Sequence, residues 1–294
     1  HQKILWINIS APSLGDSLMD LSSRVMLKNR EIDLFTDLKN AHLYLDDKYL
    51  RKIYTNSEDV RLIKYDLVIL DSYSTRSMKM KVSISPNIKY VGLFGFFNGP
   101  EVNRTLFSFH QMNNLLGYIK NDHEIIDLAK NYISISQKDE DIISPLIPQK
   151  FIAIVLGGEW KYKTYEKWSE VVEKIINDDK KLNIVLLGSK NAKKASEELL
   201  IKFPKFNFYN FVDKISFNQT AGVIKYSEIL LCCDGGLMHA ANAVNANVVS
   251  LFARLTDDIL LTKSCITYNL YDSYDVNNIL VSDVVSKYNE AKNN

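Results

Sequence analysis

The strongest constraint on the fold lies in residues 227–252, which read SEILLCCDGGLMHAANAVNANVVSLF. The first and last thirds of this stretch are apolar runs typical of buried strands. The middle third has one apolar helical face, formed by Leu237, Ala240, Ala241 and Val244. A strand, a helix and a second strand in succession make a right-handed crossover between parallel strands. The chain is therefore predicted to be an α/β protein with helices covering a parallel sheet.

The same alternation of strands and helices runs through both halves of the chain. In the first half it predicts strands at residues 3–9, 31–36, 65–71 and 87–94, with helices at 17–28 and within 106–133. In the second half it predicts strands and helices in turn at 151–158, 165–176, 183–189, 191–203, 206–212 and 217–227, then 227–252, and a last helix over 276–284. From this we predict two Rossmann-like, doubly wound parallel-sheet domains of the α/β class, facing across a cleft.

A candidate boundary lies between the two halves. Residues 134–150, SISQKDEDIISPLIPQK, combine a charge cluster with Pro145 and Pro148, a composition typical of an interdomain linker. We therefore predict domains at residues 1–145 and 146–294, with the last helix able to pack back onto the first domain.

Composition and charge narrow the class of function. Of the 294 residues, 46% are hydrophobic and 24% are charged, which is typical of a globular protein, and the formal net charge of +1 gives no reason to expect nucleic acid as a partner. No apolar run approaches the roughly 18 residues of a membrane span. The three cysteines show no C-x-x-C spacing and the five histidines no metal-ligand spacing. We expect free thiols in a reducing cytoplasm and no bound metal.

Three loops that follow predicted strands suit a phosphate site. They are SLGDSL at residues 13–18, GGEWKYKTYEKW at 157–168 and CDGGLMH at 233–239. A helix beginning at Gly236 or Leu237 presents backbone N–H groups and the positive end of its dipole, and glycines let a phosphate approach. Each loop also has a plainer interpretation, as a tight turn, an aspartate N-cap or a solvated lysine. None is a G-x-G-x-x-G or Walker A motif, so a nicotinamide or P-loop site has no support.

Taken together, these motifs resemble those of family 9 glycosyltransferases, the ADP-heptose:lipopolysaccharide heptosyltransferases. The family's small-residue loop with Gly-Asp opening a helix matches PSLGDSLMDLSS at residues 12–23. Its lysine followed seven residues later by a tryptophan matches Lys161 and Trp168. Its Asp-[Ser/Thr]-Gly-x-x-His motif before a small-residue helix and a V-x-L-F strand matches residues 234–239 and 248–252.

The resemblance implies a GT-B fold and an inverting glycosyltransferase. A sugar, expected to be a heptose, would move from a nucleotide diphosphate to a hydroxyl of a lipopolysaccharide-type or other glycan acceptor. Asp16 would be the catalytic base, with Ser13 and Gly15 in the acceptor-side loop. Asp234 would contact the sugar hydroxyls and backbone N–H groups the diphosphate, in a donor site formed by Gly157, Lys161, Asp234, Gly235, Gly236, Leu237 and His239. No metal or other cofactor is implied.

The sequence also departs from the family pattern. Gly235 replaces a serine or threonine, ARLTDD at residues 253–258 replaces Gly-x-Thr-x-Pro, and Ser22 replaces a proline in the first helix. These departures leave the donor sugar open. Two other functions stay compatible with the pattern: an isomerase of the nucleotide-sugar 2-epimerase type, which needs no acceptor, and a non-catalytic nucleotide-sugar-binding protein.

The acceptor side carries the weakest signals. Residues 73–81, with Arg24, Lys28 and Arg30, are either a basic face for a phosphorylated lipid-linked glycan or ordinary solvated cations. Residues 90–97, YVGLFGFF, are either a core strand or an exposed aromatic segment that touches lipid. We expect a cytoplasmic protein that can work at the cytoplasmic face of the inner membrane, in peripheral contact with it. Its expected partners are a nucleotide sugar and a glycan or lipid-linked glycan acceptor.

Overall fold

The computed structural model describes residues 2–94 and 103–294. The chain divides into two compact units, His1–Ser134 and Ile135–Asn294. Each unit is built on one parallel sheet.

The sheet of the first unit has the strand order β3-β2-β1-β4-β5. Its strands are β1 (Lys3–Asn8), β2 (Glu31–Thr36), β3 (Lys52–Tyr54), β4 (Leu67–Ser72) and β5 (Tyr90–Phe94). Every residue of β1 after Lys3 is buried, as expected for a central parallel strand covered on both faces. The chain reverses its direction of winding between β1 and β4, and ligands of such sheets bind at this switch point, beyond the carboxyl ends of the strands.

The helices of the first unit are α1 (Leu14–Leu21), α2 (Leu38–Ala41), α3 (Ser57–Arg61), α4 (Thr75–Ile84), α5 (Arg104–Leu115) and α6 (Asp122–Leu128). Helix α1 begins three residues before the predicted start and passes into a 3₁₀ turn at Ser22–Met26. The hydroxyl of Ser22 donates to Leu18 O at 2.6 Å, a local bond that competes with regular helix. The predicted long helical region divides into α5 and α6 because Gly117 and Tyr118 take φ angles of 82° and 58°, which no helix accommodates.

The sheet of the second unit has the order β11-β10-β9-β6-β7-β8, with its switch point between β6 and β9. Its strands are β6 (Ile152–Val155), β7 (Ile184–Leu187), β8 (Phe208–Asn210), β9 (Ile229–Cys233), β10 (Asn247–Ala253) and β11 (Ile266–Asp272). Its helices are α7 (Gln137–Ile143), α8 (Trp168–Asp178), α9 (Lys193–Lys202), α10 (Phe217–Tyr226), α11 (Gly236–Ala243), α12 (Asp257–Leu260) and α13 (Val281–Asn293).

Alternate residues of the second sheet join two separate cores. Ile152 and Ile154 pack in one core with residues of α8 and α13, whereas Ala153 lies in the other with residues of α7, α10 and α11. This alternation is the period of two that a sheet buried on both faces requires. The last helix, α13, packs on α8, β10 and β11.

Residues 134–150 differ from the predicted linker. They contain α7, whose N-terminus Ser136 and Asp139 cap with a reciprocal capping box. This helix packs on α10 within the second unit. At Gly222 of α10, a Cβ would lie 2.5 Å from Ile143 Cδ1, so the absence of a side chain there lets α7 approach closely. The two units therefore divide ahead of α7, before the predicted boundary at residue 145.

Two strands were not predicted, and both lie at sheet edges. The first, β3, has three residues, and β11 is half-buried along most of its length, so neither has the apolar run of a central strand. Among the described residues, no helix is both long and apolar enough to cross a membrane.

Candidate functional site

The switch point of the second sheet brings together Lys163 and Asp234. Lys163 ends a 3₁₀ turn, Lys161–Lys163, in the loop after β6, and Asp234 directly follows β9. The Lys163 ammonium forms an ion pair with Asp234 Oδ2, and the Asp234 N–H donates to Leu251 O of the neighbouring strand at 3.0 Å. Asp234 is thus fixed at both its backbone and its side chain.

Helix α11 begins at Gly236, as predicted, and its first turn is accessible. Its N-cap is Gly235 rather than Asp234, in an extended conformation with φ 173° and ψ −178°. Met238 and His239 donate the first intrahelical bonds, to Gly235 O, so the N–H groups of Gly236 and Leu237 have no acceptor inside the helix. Among residues 2–94 and 103–294, nothing lies within 4 Å of where a Cβ at Gly235 would be. The turn therefore offers N–H groups to an anion.

Arg254 is a cation at this edge of the sheet that the sequence did not single out. It follows β10 with φ 70°, and its guanidinium carbon lies 3.7 Å from the centroid of the Tyr162 ring. Its Nε donates to Tyr274 O at 3.3 Å, and the residue is exposed. Tyr162 in turn stacks on Trp160 with centroids 6.5 Å apart. The only signal in the sequence was that residues 253–258 depart from the family pattern.

The other residues predicted for the nucleotide-sugar donor site differ in their environments. Lys161 opens the same 3₁₀ turn as Lys163 but is exposed. Gly157 has φ 78°, and a Cβ there would lie 2.8 Å from Asn191 Oδ1, so this glycine allows its loop to pass close to Asn191. His239 is 3% exposed on α11. The structure thus brings Asp234 to Lys163, and it leaves Lys161 on the surface.

The first unit carries polar residues at the carboxyl end of β1. Ser13 is the N-cap of α1: its Oγ accepts the N–H of Asp16 at 3.3 Å and donates to Asp16 Oδ2 at 2.6 Å. Arg104 Nη1 lies 3.4 Å from Asp16 Oδ1. Gly15 is the buried second residue of the helix. The Asp16 side chain remains 22% exposed, so its carboxylate is held in place and still reachable.

Asp71, at the end of β4, holds the loop that follows β1. Its carboxylate accepts the N–H groups of Ile9 and Ser10 at 2.9 and 2.6 Å and the hydroxyl of Ser77 at 2.7 Å. Burial raises the pKa of Asp71, although these donors oppose the shift. No sequence motif indicated this residue, which acts by fixing the loop that leads to Ser13.

Two of the cations considered for a basic face, Arg24 and Lys81, are buried. Arg24 is fully buried and pairs with Asp47, with its Nη2 at 2.5 Å, and Lys81 is 3% exposed and donates to Pro86 O. Neither side chain can present its charge to an acceptor. Of the aromatic segment 90–97, residues 90–94 form β5, with Leu93 buried, and the part after residue 94 lies outside the described residues.

Cysteines and metal-ligand candidates show no reactive arrangement in the part of the chain that the structure describes. The three cysteines are free and buried, as expected, and burial raises the pKa of Cys233 and of Cys265 to about 12. Within residues 2–94 and 103–294 there is no group of three or more His, Cys, Asp or Glu side chains that could hold a metal ion.

A scan against known protein families matches residues 97–261 to glycosyltransferase family 9 (heptosyltransferase). None of the curated proteins matches the chain by sequence.

Solved structures of similar fold include two transferases and one epimerase. A glycosyl transferase family 9 protein from Veillonella parvula is 13% identical with a TM-score of 0.81, over 99% of this chain and 97% of its own. The E. coli heptosyltransferase WaaC, solved with ADP, is 14% identical with a TM-score of 0.73, over 99% and 100%. A UDP-GlcNAc 2-epimerase from Methanocaldococcus jannaschii is 12% identical with a TM-score of 0.55, over 98% and 92%.

These likenesses confirm the predicted fold class, with two parallel-sheet α/β domains that match GT-B heptosyltransferase structures. The family match covers more than half of the sequence. The chain therefore belongs to glycosyltransferase family 9, the heptosyltransferase family, and is a glycosyltransferase.

Proposed function

We propose that the protein transfers a heptose, with inversion, from a nucleotide diphosphate to a hydroxyl group of a glycan acceptor. One observation carries the proposal: at the switch point of the second sheet, the Lys163–Asp234 pair, the first turn of α11 and Arg254 all follow neighbouring strands. These groups supply the two things that a sugar diphosphate requires, a carboxylate for hydroxyl groups and donors or cations for phosphate oxygens.

Different parts of the donor would contact different groups, according to their charge. Asp234 offers carboxylate oxygens to sugar hydroxyls. The N–H groups of Gly236 and Leu237 and the guanidinium of Arg254 face a doubly charged diphosphate. Lys163 already balances the charge of Asp234, so in the free protein Arg254 adds a further positive charge to this edge of the sheet. Lys161, selected from its spacing to Trp168, stays a candidate for the same anion from the exposed side of the turn.

The chemical step would be a single displacement. The acceptor oxygen forms a bond to the anomeric carbon on the face opposite the diphosphate. The bond between the anomeric carbon and the diphosphate oxygen breaks, and the diphosphate leaves with the electron pair. The acceptor proton goes to the Asp16 carboxylate, which Ser13 and Arg104 hold in place. Displacement from the opposite face inverts the anomeric centre, and cationic groups stabilise the charge that develops on the leaving diphosphate.

For the donor nucleotide we propose ADP, because the similar heptosyltransferase WaaC was solved with ADP. We propose that no metal is required, since the leaving group would meet Arg254, Lys163 and backbone N–H groups. For the acceptor we propose a lipopolysaccharide-type or other lipid-linked glycan, reached at the cytoplasmic face of the inner membrane through peripheral contact. Membership of the heptosyltransferase family supports a glycan acceptor.

The test is a transfer assay with purified protein. ADP-heptose plus a lipopolysaccharide-core acceptor should release ADP and yield a product heavier by one heptose, with or without EDTA. A thermal-shift panel of ADP-, UDP- and GDP-sugars identifies the donor, because a ligand that binds only the folded state raises its stability. Conversion of a UDP-sugar to its 2-epimer with no acceptor present would instead establish the epimerase, and binding without turnover of any donor would establish a binding protein.

A further inference from the structure

Two carboxylates of α1 share one guanidinium. Asp16 and Asp20 are one helical turn apart and so lie on the same face of α1. Arg104, the first residue of α5, reaches Asp20 with two nitrogens: its Nε lies 2.6 Å from Oδ1 and its Nη2 3.0 Å from Oδ2. Its Nη1 lies 3.4 Å from Asp16 Oδ1. The two-point contact is therefore with Asp20, and Asp16 receives a single contact from Nη1.

Burial distinguishes the two carboxylates. The side chain of Asp20 has no exposed surface, whereas those of Asp16 and Arg104 are 22% and 26% exposed. A bidentate arginine–carboxylate pair fixes both partners in direction as well as distance. Asp20 is thus the buried anchor of the guanidinium, and Asp16 is the end of the cluster that a substrate can reach.

We propose that Asp20 is a positioning residue for Asp16: it fixes Arg104 beside the Asp16 carboxylate and controls how much of the guanidinium charge acts on it. The inference rests on the proposed function, because it gives Asp20 its role through the proton transfer to Asp16. Asp20 makes no contact with substrate in this scheme; it acts through Arg104.

The charges around Asp20 give the direction of the effect. The groups that face it are Arg104 from α5, Asp16 on its own helix and Asp71 from β4, with Tyr44 nearby after α2. The adjoining 3₁₀ turn adds Arg24, whose charge Asp47 already balances. Burial raises the pKa of Asp20 to about 7, against the opposing charge of Arg104.

The cluster is therefore poised to change charge near neutral pH. Above about pH 7, Asp20 is ionised and takes up most of the Arg104 charge, so the guanidinium competes less with the acceptor hydroxyl for the Asp16 carboxylate. Below about pH 7, Asp20 is protonated and the guanidinium charge acts on Asp16 alone, so Arg104 competes more strongly with the acceptor hydroxyl for the Asp16 carboxylate. Transfer should accordingly decline as the pH falls through about 7.

Asp20→Asn separates this role from a merely structural one. Asparagine keeps the shape and still accepts a bond from Arg104, but it never carries charge. We expect unchanged donor affinity, a kcat roughly threefold to tenfold lower at pH 8, and a kcat/KM profile from which the acid limb near pH 7 is missing, because the group that titrates there has been removed. The matched control is Asp59→Asn, an exposed acid on α3, which should leave the limb in place. An acid limb that persists near pH 7 in Asp20→Asn would overturn the inference.

A second measurement needs no activity. Carboxyl ¹³C NMR, with the Asp16 signal assigned from Asp16→Asn, should show the Asp16 titration midpoint moving down in Asp20→Asn and up in Arg104→Lys, which loses the two-point contact. If both midpoints move but the parental protein transfers no sugar, the proposed function fails and the coupling stands. If neither midpoint moves, the coupling fails whatever the activity.

Folding stability provides an independent check on the raised pKa of Asp20. The folded pKa of Asp20 lies above its ordinary value of 3.8, so its contribution favours the folded state most below about pH 4 and is lost as the pH rises through about 7. Asp20→Asn lacks this contribution. Its urea midpoint should therefore gain on the parental one between pH 5 and pH 8, and a constant difference would contradict a raised pKa at Asp20.

Discussion

Lys163 and Asp234 meet from the two strands that flank the switch point of the second sheet, and each neutralises the other. Their side chains are 18% and 4% exposed, so the pair lies mostly out of water, where an unbalanced charge is costly. The pair orients the Asp234 carboxylate before any ligand arrives. It also means that a diphosphate must either draw Lys163 away from Asp234 or find its positive charge elsewhere.

The first prediction compares the two lysines of one turn. Lys163→Met, which keeps the aliphatic stem, should weaken nucleotide-sugar binding by about tenfold or more, because it removes a charge-assisted contact and leaves the Asp234 carboxylate without its partner. Lys161→Met is the matched control, and calorimetry should find its affinity within about threefold of the parental value, as is usual for an exposed lysine. The reverse ranking would restore the assignment made from the spacing between Lys161 and Trp168.

The second prediction concerns Asp234. Asp234→Asn retains the size of the side chain and removes its charge, so contacts with sugar hydroxyls lose their charge-assisted acceptor. Affinity for the whole nucleotide sugar should fall by about tenfold or more, whereas affinity for the free nucleoside diphosphate should hold or rise, because Lys163 loses its charged partner. Calorimetry with both ligands separates the two. Equal losses for both would place Asp234 at the phosphates instead of the sugar.

The third prediction concerns Arg254, which the stack on Tyr162 holds in place. Arg254→Ala should weaken binding of the nucleoside diphosphate by about tenfold, since it removes a preorganised cation from the diphosphate. Arg254→Lys should recover part of the loss, because it restores charge but not the planar stack. Lys214, an exposed cation on another loop, provides the control through Lys214→Ala. Affinity of Arg254→Ala equal to that of the control would remove Arg254 from the site.

Much of the fold could be predicted because the apolar periodicity of central strands and amphipathic helices is strong. β2 was predicted to the residue, and α11 was predicted to start at Gly236 or Leu237 and starts at Gly236. The linker prediction for residues 134–150 was wrong because a charge cluster followed by prolines is also compatible with a short capped helix that ends before the prolines. The close approach of α7 depends on Gly222 of α10, which lies about 80 residues later in the sequence.

The site was predictable only as far as its loops. Sheet topology fixes which loops meet, so Asp234 and the turn of Lys161–Lys163 were expected at one edge. Which lysine of that turn points at Asp234 depends on side-chain direction in a 3₁₀ turn, which spacing to Trp168 does not encode. Arg254 owes its place to a stack with Tyr162 from a loop about 90 residues earlier, and Asp20 to a contact with Arg104. Such long-range contacts leave no local pattern.

The fourth prediction tests whether α7 is an integral part of the second unit. Ser136 Oγ accepts the N–H of Asp139 at 3.1 Å, and the Ser136 hydroxyl donates to the Asp139 carboxylate at 2.8 Å. Ser136→Ala should lower the free energy of unfolding by about 1 kcal/mol, because the cap is lost. Ser144→Ala, at the other end of the helix, is the control and should have a smaller effect. Urea denaturation followed by tryptophan fluorescence measures both, and a cost at Ser136 no larger than at Ser144 would argue for a loosely attached segment.

The last prediction is that Asp16 is the base. Because Ser13 is the N-cap of α1, Asp16 is not required to start the helix, and an asparagine in its place still accepts the Ser13 hydroxyl. Asp16→Asn should therefore melt close to the parental temperature and bind the nucleotide sugar normally.

Its transfer rate should nevertheless fall by at least about two orders of magnitude, because the amide cannot take the acceptor proton. The Asp59→Asn control should keep full activity, which separates the loss of this particular carboxylate from the loss of any one negative charge on the unit. Single-turnover measurements with saturating donor locate the effect in the chemical step. A variant that transfers sugar at near the parental rate would show that Asp16 serves only to brace Ser13 and Arg104, and the proton would need another acceptor.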